Sequence, residues 1–557
     1  MSGFLEARPL LEGGPRGLTH ALERTLWHLG FSDVRVVDGR DDGGADILAV
    51  RGKEQWVVQA KWSGRGPVDR AGVDDCERAK ALYGADRCVL ATNTSLNRTA
   101  AQRRDVLAHV GIHVEVWDGM TLAAIADRMP ANVPTRPKPR NYQRDAIAAL
   151  IGDLDTRSRG LLVLATGLGK TVIGGEVIAQ HLKRDPGDQV LVVAHMKELV
   201  DQLERALWKH LDKKVPTQVL TGDNRPARFD GVTCATVDSA LNLAAEGYRP
   251  GLIMVDETHH VGETGMYQRL LDICADSRQF GVTATPWRGD KFDITARFGE
   301  PSYSMGIAEG MAAGYLARVD YRLFVDNIDW DFVKSVSEHS YSLKDLNSSL
   351  FLPQRDEEIV DQLRSAWRET ADPRAIVFCQ TIEHAERMAE LLAASDPVWK
   401  RAVALHSGIP RQRRQVFLNA FRLGRAPLLT AVDVFNEGVD VPDVNLIAFL
   451  RVTHSRRIFV QQLGRGLRLR DGKESLLVLD FVSDLRRVAA ALQLRRSLTG
   501  DGAPETLALP LPGGHRIEFT DATAGTLLDA WIRDAASLET AADEVRLQFP
   551  DVPSSVA

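Results

Sequence analysis

The stretch at residues 161–171, LLVLATGLGKT, constrains this chain more than any other. Its apolar run reads as a buried strand, and the glycines Gly167 and Gly169 that follow permit a tight turn with N–H groups pointing inward. A helix opening near Lys170 adds the positive end of its dipole to that cup. A phosphate chain fits there: Lys170 reaches the outer phosphates as a point charge, and the Thr171 hydroxyl ligates the accompanying Mg2+. The pattern G-x-x-x-x-G-K-[ST] is met except at its first glycine, a position held by Leu164. The loop by itself therefore leaves a plain strand-turn-helix open as the alternative.

With 557 residues, 44% hydrophobic and 26% charged, the chain has room for about three to five domains. No stretch approaches the ~18 unbroken apolar residues of a membrane span. The start MSGFLEARPL lacks a signal-peptide core, so the expectation is a cytoplasmic chain with no membrane partner. Cys76, Cys88, Cys234, Cys274 and Cys379 are scattered without a C-x-x-C pair, which argues against a zinc knuckle or disulfide framework. A net charge of −6 argues against coating nucleic acid through bulk basicity but leaves arginine-lined clefts open.

Toward the N-terminus, Leu18, Leu22, Leu26 and Leu29 recur at helical spacing, with Thr19 as N-cap, Glu23 within the helix and Gly30 ending it. Short strands are predicted at residues 34–37, 46–50 and 55–61. In the third, Trp56, Val58 and Ala60 share one face while Val57, Gln59 and Lys61 share the other. The polar pair has two readings: a solvent-facing edge, or a metal-dependent phosphodiesterase site. In the second, Asp46 ligates the ion, Gln59 supplies an oxygen or orients a water, and Lys61 stabilises charge at the scissile phosphate. The ordered strings G-G-A-D-I, V-V-Q-A-K, Y-G-A-D-R and A-T-N, within residues 18–129, resemble the Mrr-like branch of the restriction-endonuclease, or PD-(D/E)xK, superfamily. That resemblance implies a core sheet flanked by helices, catalytic positions at Asp46, Gln59 and Lys61, and a contribution from Glu23. It also implies Mg2+, or Mn2+, at Asp46 and Gln59; the neutral Gln59 leaves less charge for a second ion. A strand at 88–92, a helix near 100–108, a strand at 113–117 and a helix at 121–129 complete the segment. Residues 130–139, PANVPTRPKP, have the composition of a stiff linker, which sets the domains 1–130 and 131–139.

Arg140-Asn141-Tyr142-Gln143 then opens an apolar-periodic helix, and the Gln143 amide can both donate to and accept from an adenine edge. Residues 189–194 and 251–255 read as buried parallel strands, the second ending in Asp256-Glu257-Thr258-His259. Carboxylates at that end lie where an open α/β sheet binds its ligand. Asp256 can hold Mg2+ through water and Glu257 can polarise the water that attacks the γ-phosphate. The strings A-T-G-L-G-K-T (with Thr166), A-H-M-K-E-L-V-D-Q, D-E-T-H and T-A-T-P, in this order, resemble the first RecA-like domain of a superfamily 2 helicase of the DExH type. The resemblance adds Arg140 to the ATP-binding residues. It gives His259 and Thr283 a coupling role and puts Thr236 to Ser239 among the contacts to the nucleic-acid backbone. Further on, L-H-S-G, a strand at 428–431, F-N-E-G-V-D-V-P and Q-Q-L-G-R-G-L-R match the second RecA-like domain. They place Gly438, Asp440 and Gln461 at the nucleotide, Thr430 at the nucleic acid, and Arg465 and Arg468 as arginine fingers.

The expected fold is α/β: a restriction-endonuclease-like domain, RecA-like domains at 140–310 and 311–484, and a small, mainly helical appendage at 485–557. The expected activity is an ATP-dependent DNA helicase or translocase fused to an endonuclease. Its partners are double-stranded or forked DNA and subunits of a defence system, with restriction or antiphage defence as the setting. The rival readings are a repair helicase-nuclease, a remodelling translocase whose first domain binds DNA without cutting, and an RNA helicase.

Overall fold

The computed structural model describes residues 14–37, 43–258, 265–284, 294–324, 356–432, 444–450, 466–467, 469, 475–481 and 516–520. Its first sheet contains β1 (Ser32–Val36), β2 (Ile47–Arg51), β3 (Glu54–Lys61), β4 (Arg87–Thr92) and β5 (Val114–Trp117) in that order. β1 to β3 are antiparallel neighbours, whereas β3, β4 and β5 run parallel. Helices cover both faces. Leu18, Leu22 and Leu26 of helix Gly14–His28, with Leu122 and Ala126, pack on Ile47, Trp56 and Val58. Val73, Cys76 and Ala79 of helix Arg70–Tyr83, with Ala100 and Leu107, pack on Leu48, Val57 and Leu90. The polar face of β3 is therefore roofed by a helix, which buries Gln59 and leaves Lys61 partly exposed at the strand end. Thr19 lies inside its helix, its hydroxyl donating to Pro15 O at 3.2 Å, and is not the N-cap.

The second sheet is all parallel: β6 (Arg159–Leu164), β7 (Val190–Ala194), β8 (Thr217–Leu220), β9 (Val232–Thr236), β10 (Leu252–Asp256), β11 (Arg278–Thr283) and β12 (Tyr303–Met305). Its strand order is β12-β6-β11-β10-β7-β9-β8. Segments such as VLVVA and LIMVD carry apolar residues on both faces because both are covered, as parallel sheets require. The third sheet holds β13 (Arg318–Phe324), β14 (Ala375–Phe378), β15 (Val403–Leu405), β16 (Leu428–Ala431), β17 (Leu446–Phe449), β18 (Ser475–Phe481) and β19 (Arg516–Thr520). They are ordered β15-β16-β14-β17-β18-β13-β19 and are parallel except for β19, which pairs antiparallel with β13. Part of the expected helical appendage is thus an edge strand of the second lobe; the helices expected near 485–496 and 522–545 lie outside the described residues.

The segment between the first two domains is tied down along its length. Val133 is buried in the first domain's core, Ala131 O accepts from Lys213 N at 2.7 Å, and Arg136 forks onto Glu176 at 2.8 Å. Glu176 also meets His210 Nδ1 at 2.9 Å. Beside it, helix Gly14–His28 docks on helix Lys197–Trp208 of the first lobe. His20 Nε2 lies 2.8 Å from Glu204 and Glu23 lies 2.6 Å from Arg205 Nε. Arg24 donates to Val215 O and Asp212 O, both at 3.0 Å. Glu23, Arg24 and Glu204 are buried, so removing the partner of one of them would cost about 3 kcal/mol by stranding it.

Candidate nucleotide and nuclease sites

β6 ends at Leu164, whose side chain is fully buried in the lobe core. The chain is still extended there, so the glycine missing from the phosphate-loop pattern is not required. Turning begins afterwards: Gly167 has φ +94° and Gly169, capping helix Lys170–Arg184, has φ +82°. A Cβ on Gly169 would lie 2.5 Å from Gln143 Nε2, so both the backbone and the space demand glycine.

Gln143 is buried beneath the loop. Its Oε1 accepts from Arg140 N at 2.9 Å and its Nε2 donates to Leu168 O at 3.0 Å, while Tyr142 Oη donates to the same carbonyl at 2.5 Å. The amide expected to read a base here braces the phosphate loop. Tyr315, to which the sequence assigned no task, packs on Tyr142 with ring centroids 4.3 Å apart and planes tilted by 42°, and its carbonyl accepts from Arg140 Nη1 at 2.9 Å.

Across the loop, β10 delivers its two carboxylates. Lys170 Nζ lies 3.5 Å from Glu257 Oε1. Burial, and then the Glu257 charge, push Asp256 up to about 7 against the pull of Lys170. A cation beside it would relieve that cost, so Asp256 and the half-buried Thr171 suit the Mg2+ of a bound nucleotide. Glu257 adopts φ +48°, an uncommon backbone state for a non-glycine residue and one concentrated at functional sites.

The expected nucleic-acid contacts are turned inward. Thr236 Oγ1 donates to Ser239 Oγ at 3.0 Å, both residues being buried. Thr430 is fully buried, and its hydroxyl donates to Ala385 O at 2.7 Å, so it is not offered to a ligand. Thr283 is buried at the end of β11, beside β6. His259, Gly438, Asp440, Gln461, Arg465 and Arg468 lie outside the described residues.

In the first domain, Asp46 immediately precedes β2 and is buried. Its Oδ2 accepts from Gln59 Nε2 and from Ala60 N, both at 2.6 Å. Gln59 Oε1 is buried without a hydrogen-bond partner, an acceptor whose chemistry a divalent cation would satisfy. Among the described residues no group of three or more His, Cys, Asp or Glu side chains is placed to hold a metal. The fit is thus with one ion held by one carboxylate, one amide oxygen and water. Lys61, on the same face of β3, pairs with Asp75 Oδ2 at 2.8 Å. Glu23 is not brought to this site, its carboxylate being 1% exposed against Arg205 of the first lobe. Asp75 had no motif to mark it; only the packing of helix Arg70–Tyr83 on β3 puts it beside Lys61.

Three families match the chain in succession: "Restriction endonuclease" over residues 10–126, "Type III restriction enzyme, res subunit" over 136–288, and "Helicase conserved C-terminal domain" over 355–470. The Schizosaccharomyces pombe protein irc3, provisionally described as a mitochondrial ATP-dependent helicase, is 30% identical over 378 residues, 63% of this chain and 58% of the relative. The DNA 3'-5' translocase XPB2 of Sulfurisphaera tokodaii is 27% identical over 61% of this chain and 80% of its own length. The EcoAI type I restriction endonuclease subunit of Escherichia coli is 27% identical over 66% of this chain and 48% of its own. The chain therefore spans about half of some of these relatives and most of others. The DNA-bound type ISP restriction-modification enzyme LlaBIII shares the fold, with a TM-score of 0.50 and 15% identity over 91% of this chain and 41% of that one. The chain thus carries a restriction-endonuclease domain at its N-terminal side, followed by the two domains of a superfamily 2 helicase motor.

Proposed function

We propose that this protein is an ATP-driven DNA translocase or helicase with a metal-dependent endonuclease, acting in restriction or antiphage defence on double-stranded or forked DNA. The observation that carries the motor reading is the convergence of Lys170, Asp256 and Glu257 around the Gly167–Gly169 turn. Lys170 holds the outer phosphates, Glu257 polarises the attacking water, and Arg465 and Arg468 of the second lobe meet the γ-phosphate when the lobes close. Thr171 and Asp256 would hold the Mg2+ that comes with the nucleotide, which when bound would supply positive charge to the phosphates. Hydrolysis then lets the lobes part, so neither turns over ATP well alone.

For cleavage, Asp46 and Gln59 would hold the divalent ion, Mg2+ or Mn2+, which when bound supplies positive charge to the scissile phosphate and activates water. Gln59 Nε2 and Ala60 N fix the Asp46 carboxylate, and Lys61 offers its ammonium to the phosphate. Domains related to type I and type III restriction subunits support the defence setting and suggest partner subunits in the cytoplasm.

Purified chain assayed for DNA-stimulated ATP hydrolysis and plasmid nicking tests both halves. Lys170→Ala and Arg468→Ala should abolish ATP turnover. Lys61→Ala should abolish nicking with ATP turnover intact. Turnover retained by the first two variants would sink the motor assignment, and undiminished nicking by the third would sink the nuclease assignment.

A further inference from the structure

The first domain touches both lobes, and the two contacts differ in kind. Toward the first lobe, the joint is wide: helix Gly14–His28 is buried at Leu18, Thr19 and from Ala21 to His28, with the half-buried His20 and the buried Glu23 and Arg24 each paired across it. Trp208 of the lobe shares an apolar cluster with Trp27 and Val133. Parting these surfaces would strand several buried charges, so the domain is fixed to this lobe.

Toward the second lobe, the contact is small. Val416, on helix Arg411–Arg422, packs against the cluster beneath helix Arg70–Tyr83, and Arg35 Nη2 donates to Asn419 Oδ1 at 2.9 Å. Arg425 rests on Gly84, the left-handed C-cap of helix Arg70–Tyr83, where a Cβ would lie 2.5 Å from its Nη1. Among the described residues no ion pair crosses this patch: Arg35 pairs at 3.0 Å with Asp33 of its own domain and keeps that partner if the surfaces part.

Helix Arg70–Tyr83 joins this patch to the nuclease site. It has 14 residues and is roughly 20 Å long. One end abuts the second lobe through Gly84. Along its length Asp75 holds Lys61 at 2.8 Å, and the backbone of Asp75 closes on Gly44, two residues before Asp46, where a Cβ would lie 2.6 Å from Asp75 O. The helix thus touches both Lys61 and the turn that presents Asp46. Arg425 lies just before β16, and Asp212 and Val215 just before β8, so these contacts are at the strand ends away from the phosphate loop. Lobe movement at the nucleotide therefore works on this domain from behind.

We propose that Asp75 is the positioning residue for Lys61, and that helix Arg70–Tyr83 conveys the position of the second lobe to the nuclease site through Gly84 and Arg425. The inference about cleavage rests on the nuclease reading above; the mechanical link does not. Closing of the lobes on nucleotide shifts the seat of Gly84, the helix follows, and Asp75 carries Lys61 with it, while helix Gly14–His28 stays in place.

Hydrogen exchange on the full chain, with and without Mg2+ and a non-hydrolysable ATP analogue, tests the link without relying on cleavage. The amides of residues 76–85 should change protection by threefold or more, those of residues 18–28 should not, and Arg425→Ala with Asn419→Ala should remove the response. Equal change in both helices, no change in either, or an unaltered response in the double variant overturns the link. In parallel, Asp75→Asn should lower the turnover of nicking by about ten- to a hundredfold at nearly constant KM, the scale of a misplaced group. Asp75→Glu should recover part of it. An increase in nicking by Asp75→Asn, or a loss confined to KM, overturns the positioning role. A wild-type chain that nicks nothing while its helix still responds to nucleotide supports the link and refutes the nuclease reading instead.

Discussion

Replacing Asp256 by asparagine should make the nucleotide-free protein more stable while destroying its ATPase. The Asp256 carboxyl rises from its ordinary 3.8 to about 7, chiefly through burial and next through Glu257. A shift of about three units corresponds to about 4 kcal/mol at 1.36 kcal/mol per unit. Asp256 keeps partial contact with water, and discounting for screening leaves about 2 kcal/mol. Because the folded-state value is raised, the folded chain holds a proton that the unfolded chain has already released. Stability therefore falls as pH rises from about 4 to about 7 and stays lower above that. Asparagine does not ionise and removes this slope. At pH 8, with chelator and no nucleotide, Asp256→Asn should raise the unfolding temperature of the first lobe by about 4–8 °C. At pH 5 the gain should fall to about 40% of that, and below pH 4 it should nearly vanish. Mg2+ and an ATP analogue should raise the wild-type value and leave the variant unmoved. A gain of equal size at both pH values, or a loss at pH 8, would refute the claim that Asp256 stores unfavourable charge for a cation to relieve. The readout is differential scanning calorimetry with the lobe transitions resolved, since a chain of several domains does not melt as one unit.

Other consequences concern the joint and the loop. Burial pulls His20 down, but Glu204 at 2.8 Å outweighs it and the net shift is upward. The contribution of this pair is complete below the unfolded value near 6.5 and fades as pH rises through the folded one. His20→Ala should thus destabilise docking by about 3 kcal/mol near pH 6 and by less near pH 9; a difference independent of pH, measured by denaturant titration, counts against a protonated His20. Gly169→Ala forces a side chain to φ +82° against Gln143 and should weaken binding of a fluorescent ATP analogue by tenfold or more. Gly152→Ala, in a helix with open space around it, should instead stabilise by about 0.5–1 kcal/mol. Loss of nucleotide binding by both variants would show that the effect is not specific to the loop.

Parallel strands such as VLVVA and LIMVD were legible because burial on both faces leaves a continuous apolar run, and the glycines of the loop because only they tolerate positive φ. The partners of functional side chains were not legible in the same way. Gln143 was recognisable as a residue shortly ahead of the phosphate loop, but whether its amide meets a base or Leu168 O depends on how helix Asn141–Arg157 seats against the loop. Glu23 sits on a helix that packs one face on its own sheet; nothing in its spacing reveals that the opposite face meets Arg205, some 180 residues away. Helix Arg70–Tyr83, helix Asp356–Glu369 and helix Arg411–Arg422 escaped the sequence reading because polar and charged residues dilute their apolar stripes. β19 was equally hidden, since an edge strand needs only backbone pairing with β13 to form.

The chemistry of the joint bears on what it is for. A domain tethered through a segment that is itself pinned at Ala131, Val133 and Arg136 needs little intrinsic affinity for its neighbour, because the tether already supplies a high effective concentration. An apolar patch would have sufficed to hold it. Instead the interface sets the half-buried His20 and the buried Glu23 and Arg24 against Glu204, Arg205 and the carbonyls of Asp212 and Val215. Such groups add little net stability, yet they penalise every other orientation heavily, since a rotated domain leaves each charge unpaired. The arrangement therefore selects orientation over affinity. One orientation is what a small contact at Gly84, Arg425, Val416 and Asn419 requires if movement of the second lobe is to reach Lys61 rather than be absorbed by rotation of the whole domain.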